Sequence, residues 1–171
     1  HSAAAFTNGS FDLFGDYRSL ASYRSDPLIL LTIATLIIAG GTSLLVVEDL
    51  WRHRSWRKLT LDTKIILIGI PTLLILGTMF IMLIESKNPS TLGNRSIREQ
   101  LLNSFFHLSA ARTAGFTTWN FGLSDDRTLF FVIGLMFIGS APGSMAGGIK
   151  ITTVAIILAA AWSNIRGRRD T

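Results

Sequence analysis

Apolar residues in this chain run together rather than alternate with polar ones. Residues 28–47 and 65–84 contain no charged side chain, and about 20 residues at the helical rise cross a hydrocarbon core of roughly 30 Å. Each run is expected to form one membrane-spanning helix. Their apolar residues cover every face, and so short a chain has no core large enough to bury two such helices in water. Pro71 and Gly77 interrupt the second run, which membrane helices tolerate, and neither is assigned a gating role. A third run, residues 128–162, is broken by Gly139-Ser140-Ala141-Pro142-Gly143-Ser144-Met145-Ala146-Gly147-Gly148. Lipid cannot satisfy the backbone groups of such a stretch, so it must line a cavity or be buried in protein. Residues 100–111 are too short to span. They suit a re-entrant half-helix, with Ser96 and Glu99 as a capping box at its start.

Charge orients these segments. The chain has 16 Lys and Arg against 11 Asp and Glu, and Arg52, Arg54, Arg57, Lys58, Lys64, Arg166, Arg168 and Arg169 lie in the loop 48–64 and the tail from residue 163. The positive-inside rule puts both in the cytoplasm. The remaining polar stretches then face outside. Trp51, Trp56 and Trp162 sit where interfacial anchors belong, although packing within the loop would also account for any one of them. This basicity beside apolar runs has a membrane explanation, so nucleic acid is discounted as a partner and the lipid bilayer is expected instead. Apolar residues make up 49% of the chain and charged ones 16%, at a mean hydropathy of +0.43, in agreement with a membrane protein. Cysteine is absent, and His1, His53 and His107 have no ligand spacing, which argues against thiolate or histidine metal sites. The chain opens at His1 partway through an element and is expected to be a fragment.

Two outer-side stretches, residues 4–15 and 110–122, look like copies of one small-residue hairpin, each preceded by a histidine and followed by an apolar helix. Small residues in a re-entrant loop can turn successive carbonyls toward an ion, and glycine supplies the unusual dihedrals. Asn8, Gly9 and Ser10 in the first copy and Thr113, Ala114 and Gly115 in the second are the candidate filter residues. A tight turn between helices is the plainer alternative for either copy, and the repetition favours the filter. Lys150 is the one charge in the third run; it either faces the pore as part of a gate or snorkels to the cytoplasmic headgroups. Arg112 is expected to pair with a carboxylate such as Glu99 or to face outer solvent. Asp125 and Asp126 suit the N-terminus of the last helical region.

The passages His1–Phe11, Phe14–Leu20, Phe106–Phe116 and Met136–Thr153 resemble the Trk/Ktr/HKT superfamily of potassium transporters, most closely its bacterial Ktr and Trk pore subunits. The resemblance implies an all-α membrane protein of helix–pore loop–helix repeats, with re-entrant half-helices and a broken inner helix. Residues 1–58 would be the end of the second pore loop, the second inner helix and the start of a cytoplasmic loop. Residues 59–171 would be the third unit, with an intramembrane gating loop containing Gly139, Ser140, Gly143, Ser144, Gly147, Gly148 and Lys150, followed by a basic tail. It also implies further pore units in the same polypeptide, a homodimer, a cytoplasmic nucleotide-binding regulator and a multi-pass place in the bacterial plasma membrane. K+ would be the transported ion, with no covalently bound cofactor and no enzyme chemistry. The family's second filter usually reads Asn-Ala-Gly-Phe, and here Asn8-Gly9-Ser10-Phe11 stands in its place, which points to weakened discrimination against Na+. A secondary transporter with substrate at the broken helix and a non-conducting assembly subunit are the competing readings.

Overall fold

The computed structural model describes residues 1–12, 14–15, 18–112 and 114–166. It is helical: α1 (Ser2–Phe6), α2 (Pro27–Gly41), α3 (Leu44–His53), α4 (Leu61–Glu85), α5 (Ile97–Ala111), α6 (Asp126–Phe137) and α7 (Ile151–Ile165) follow one another, with short 3-10 turns between some of them. Among the described residues the only β pairing is an isolated parallel bridge between Ile138 and Ile149.

Capping residues set most of the helix starts. The Asp26 side chain accepts from the amides of Leu28 and Ile29 ahead of Pro27, Thr60 accepts from Thr63, Ser96 from Glu99, and Asp125 from Arg127. The expected half-helix is α5, opened by Ser96 as its sequence implied. Helix α4 contains the whole of the 65–84 run and continues through Pro71. At 25 residues it is the one helix among those described that is long and apolar enough to cross a membrane alone.

The 28–47 run is not one helix. It breaks between α2 and α3, whose axes differ by 83°. Thr42 is extended, with ψ 130°, and the Ser43 hydroxyl caps α3 by accepting from Leu45. The cause lies elsewhere in the chain. The carbonyl oxygens of Gly40 and Gly41, which a continuing helix would use itself, accept instead from the amides of Met145 and Ala141. The broken third run thus satisfies its backbone by docking on the end of α2.

Helix α5 sits at the centre, with nine of its fifteen residues buried. On one side Leu108 joins a cluster with Ile66, Ile70, Leu74 and Ile81 of α4 and Val132 and Leu135 of α6. On the other, Phe106 and Ala110 pack with Ala5 of α1 and Leu30, Ile33, Ala34 and Ile37 of α2. Spacings of three and four residues on α2 and α4 give each helix one buried stripe. The opposite faces present Leu28, Leu31, Ile68, Ile75, Leu76 and Leu83 outward, as a hydrocarbon solvent permits. At Gly77, α4 comes so close to α5 that a Cβ would lie 2.6 Å from Leu108 Cδ1.

Candidate ion-pathway site

Two helix ends form the centre of the site. Helix α1 closes with the Gly9 amide donating to the Ala4 carbonyl at 2.8 Å, and α5 closes with the Gly115 amide donating to Ala110 at 2.9 Å. The same six-residue closure recurs 106 positions apart. The left-handed residue falls at Asn8 (φ 52°) in the first hairpin and at Gly115 (φ 69°) in the second. Gly9 therefore stands where Gly115 stands in the closure, Ser10 is the residue after it, and the first hairpin places its unusual dihedral one residue earlier.

The equivalence extends to what braces each hairpin. His107 accepts from the Thr118 amide at Nε2, 3.2 Å, and stacks on Trp119 with ring centroids 3.4 Å apart. His1, 106 positions earlier, lies 3.4 Å from Asp12, the counterpart of Thr118, and stacks on Phe14 at 4.5 Å. In both copies a histidine on the descending helix holds the returning strand. The sequence shows the histidine repeated ahead of each hairpin, and its bracing role becomes visible only where the chain folds back on it.

The hairpins meet. Ser10 lies against Gly115, where a Cβ would be 2.5 Å from Ser10 Oγ and 2.8 Å from its Cβ. Behind this contact the returning strands are joined: Leu20 donates to the Thr117 carbonyl at 3.0 Å, and the Thr117 amide donates to Ser19 Oγ at 3.0 Å. Asn8 and Gly9 are half-buried, Ala114 is buried, and Ser10 and Gly115 are open to solvent. Thr113 lies outside the described residues, as do Arg168 and Arg169. No group of three or more histidine, cysteine or acidic side chains among the described residues could hold a metal.

The glycine-rich break lies between α6 and α7. Gly139 donates to the Ile149 carbonyl at 2.8 Å and Ile149 to that of Phe137 at 2.9 Å, so the break is pinched at its neck. Gly139 and Ser140 are buried, Ser144 is half-buried, and Gly143, Gly147 and Gly148 are exposed, with left-handed backbone at Gly143 and Gly148. Lys150 does not extend away from the loop: its Nζ donates to the Ala146 carbonyl at 2.7 Å, folding the ammonium over the turn.

Arg112 corrects an expectation. Its guanidinium donates through Nη2 to the Gly139 carbonyl at 3.3 Å and to Ser140 Oγ at 3.1 Å. Glu99 is instead 3.6 Å from Arg95. The two residues are at opposite ends of α5, roughly 20 Å apart along the helix at its normal rise. A further buried group also escaped the sequence reading. Glu85, fully buried at the end of α4, accepts from the Asp125 amide at 2.9 Å, from Asn88 Nδ2 at 3.1 Å and from the Thr91 hydroxyl. It ties the C-terminal end of α4 to the start of α6.

The family model described as TrkH, cation transport protein, matches residues 1–171. The chain belongs to the TrkH family. Among curated TrkH relatives it is 41% identical over 173 residues to the Ktr system potassium uptake protein B of Vibrio alginolyticus, covering 99% of this chain and 37% of that protein. It is 37% identical to the protein of the same name from Bacillus subtilis, over 100% of this chain and 38% of the relative. It is 33% identical to the potassium/sodium uptake protein NtpJ of Enterococcus hirae, over 98% and 37%. The chain thus spans little more than a third of the length of these relatives. The crystal structure of the potassium transporter TrkH from Vibrio parahaemolyticus shares the fold, with a TM-score of 0.75 at 17% identity over 98% of this chain and 36% of that one. The helical membrane fold of the TrkH family is therefore the fold of this chain.

Proposed function

We propose that this chain supplies part of the K+ pathway of a TrkH-family transporter in the plasma membrane, and that Asn8, Gly9, Ser10, Thr113, Ala114 and Gly115 form part of its filter. The meeting of two equivalent helix-closing hairpins at Ser10 and Gly115 is the observation that carries this reading. Dehydrating K+ takes several oxygens at once, and two adjoining small-residue hairpins bring backbone from distant parts of the chain to one place. Relatives named as potassium uptake proteins support K+ as the ion, and one named for potassium and sodium leaves room for Na+ beside Ser10.

In this reading residues 1–58 belong to the second pore unit and residues 59–171 to the third. The other units come from the same polypeptide, two copies pair, and a nucleotide-binding subunit acts from the cytoplasm. The stretch from Gly139 through Ser140, Gly143, Ser144, Gly147 and Gly148 to Lys150 is the gate. It interrupts a helix, docks on α2 through the carbonyls of Gly40 and Gly41, and is held by single hydrogen bonds rather than by a continuous ladder.

Expression of the full-length protein in a cell deficient in potassium uptake tests the function. Growth at low K+, lost when Gly115 is replaced by aspartate at equal membrane abundance, is the expected result. Absence of rescue by the wild type points to a non-conducting subunit. For the gate, Lys150→Ala or deletion of residues 140–147 is expected to raise flux, and unchanged or lower flux removes that role.

A further inference from the structure

We propose that Arg112 is the latch that holds the intramembrane loop shut against the second filter hairpin, an inference that rests on reading residues 139–150 as a gate. Arg112 is the C-cap of α5, two residues before Ala114, and only 6% of it is exposed. Its Nη2 carries two hydrogens and spends both on the loop, one on the Gly139 carbonyl and one on Ser140 Oγ. The Ser140 hydroxyl passes the tie onward by donating to the Gly41 carbonyl at 2.6 Å. Pore helix, loop and the end of α2 thereby converge on one serine oxygen. Any movement of the loop away from α2 breaks the contact to Gly41, and any movement away from the filter breaks the contact to Arg112.

Among the described residues no carboxylate pairs with Arg112; its partners are a carbonyl and a hydroxyl. Burying a guanidinium without a counter-charge is costly, and a neutral donor at this position would hold the loop more weakly. A charged donor bonds the loop more strongly than a neutral one does while the site is dry. The bond is made only in the shut position, which it favours over the other position of a two-position element. Water has a place to enter. Arg112 Nε is buried without a partner, and beside it lies a cavity of about 10 Å³ lined by Asn8, Ile38, Gly41, Ser109, Arg112 and Ser140, about the space of one water. Asn8 puts the first filter hairpin on the same cavity. Lys150 has a different task, since its bond to Ala146 closes the loop on itself and ties it to nothing else.

Tracer flux of rubidium into vesicles containing the full-length transporter tests the latch, with Arg112→Gln, Arg112→Lys, Ser140→Ala and the Arg112→Gln/Ser140→Ala pair made in the intact protein, and Arg112→Gln made also in one lacking residues 140–147. In the intact protein Arg112→Gln and Ser140→Ala should each raise flux about tenfold, the loss of roughly one hydrogen bond to a charged group, and the pair should exceed neither by more than about twofold. Arg112→Lys should fall between. In the shortened protein Arg112→Gln should change nothing. Flux raised by the deletion but not by Arg112→Gln or Ser140→Ala overturns the latch and leaves the gate standing, whereas a deletion that does not raise flux overturns the gate and the latch with it. Equal loss of flux from Arg112→Gln in both backgrounds shows a purely structural arginine and also overturns the proposal. If Arg112→Gln does not fold, Ser140→Ala decides alone: it keeps the arginine, and unchanged flux refutes the latch.

Discussion

Replacing Gly40 by alanine adds a single methyl group at a point where α1 and α2 touch. A Cβ there would fall inside the contact radius of the Phe6 carbonyl oxygen and 2.7 Å from its carbon, with Asn8 Nδ2 3.1 Å away. The obstacle is backbone, so rotating a side chain does not relieve it. One of the two helices must move, and Phe6 is two residues ahead of Asn8. The methyl group brings a helix-propensity gain of up to ~1 kcal/mol, against overpacking that costs about 1–3 kcal/mol and more where the colliding atom cannot yield. A net loss of at least ~2 kcal/mol is expected. Gly134 is the matched control, because it too is helical and nothing lies within 4 Å of its would-be Cβ. Thermal unfolding of the two full-length variants in one detergent is the assay. Gly134→Ala should unfold at or slightly above the wild-type temperature and Gly40→Ala well below it. Equal midpoints would refute the close approach of α1 and α2, and with it the placement of the first hairpin.

Glu85→Ala leaves three donors, Asp125 N, Asn88 Nδ2 and Thr91 Oγ1, without their acceptor; at about 1 kcal/mol or more each, a loss of roughly 3 kcal/mol is expected in denaturation of the full-length protein, and Glu85→Gln should lose less. Asp49, in the polar segment after the first apolar run, is held below the usual carboxylate range by hydrogen bonds from the Thr63 hydroxyl and the Thr60 amide. A depressed folded-state value stabilises above the unfolded value and is lost as pH falls through the folded one, so the stability advantage over Asp49→Asn should be full at pH near 7 and shrink below about pH 4; an advantage independent of pH would contradict it. Gly115→Ala should abolish flux at equal abundance, because it strains a φ of 69° and drives a methyl into Ser10; adding Ser10→Gly should restore part of it, and no restoration would argue against the hairpin contact. Reversal potentials should show a higher K+ to Na+ permeability ratio for Ser10→Gly alone, and an unchanged ratio removes Ser10 as a determinant of selectivity.

Features that depend on local chemistry were legible in the sequence. The start of α5 at Ser96, the length of α4, the Asp125 cap and the break between α6 and α7 follow from cap residues, from uninterrupted apolar length and from the glycine-rich stretch. The repeat of the two hairpins was visible as well, because Gly9 and Gly115, like His1 and His107, are 106 positions apart. What escaped depends on partners far away in the chain. The bend between α2 and α3 arises because the Gly40 and Gly41 carbonyls are taken by residues about a hundred positions later, and nothing within residues 28–47 announces that. Opposite charge is the obvious partner of a buried cation, yet the acceptors of Arg112 are a carbonyl and a hydroxyl. Glu85 followed the same logic in reverse: a buried acid satisfied by two neutral side chains and an amide leaves no charge pattern to read.

Diffraction from crystals of the full-length protein grown in rubidium, recorded at the rubidium absorption edge, would locate a K+ surrogate directly. An anomalous peak is expected within coordination distance of backbone oxygens of residues 8–10 and 113–115, on the open face where Ser10 meets Gly115. A well-occupied peak elsewhere in the pore, with none beside these two hairpins, would contradict it.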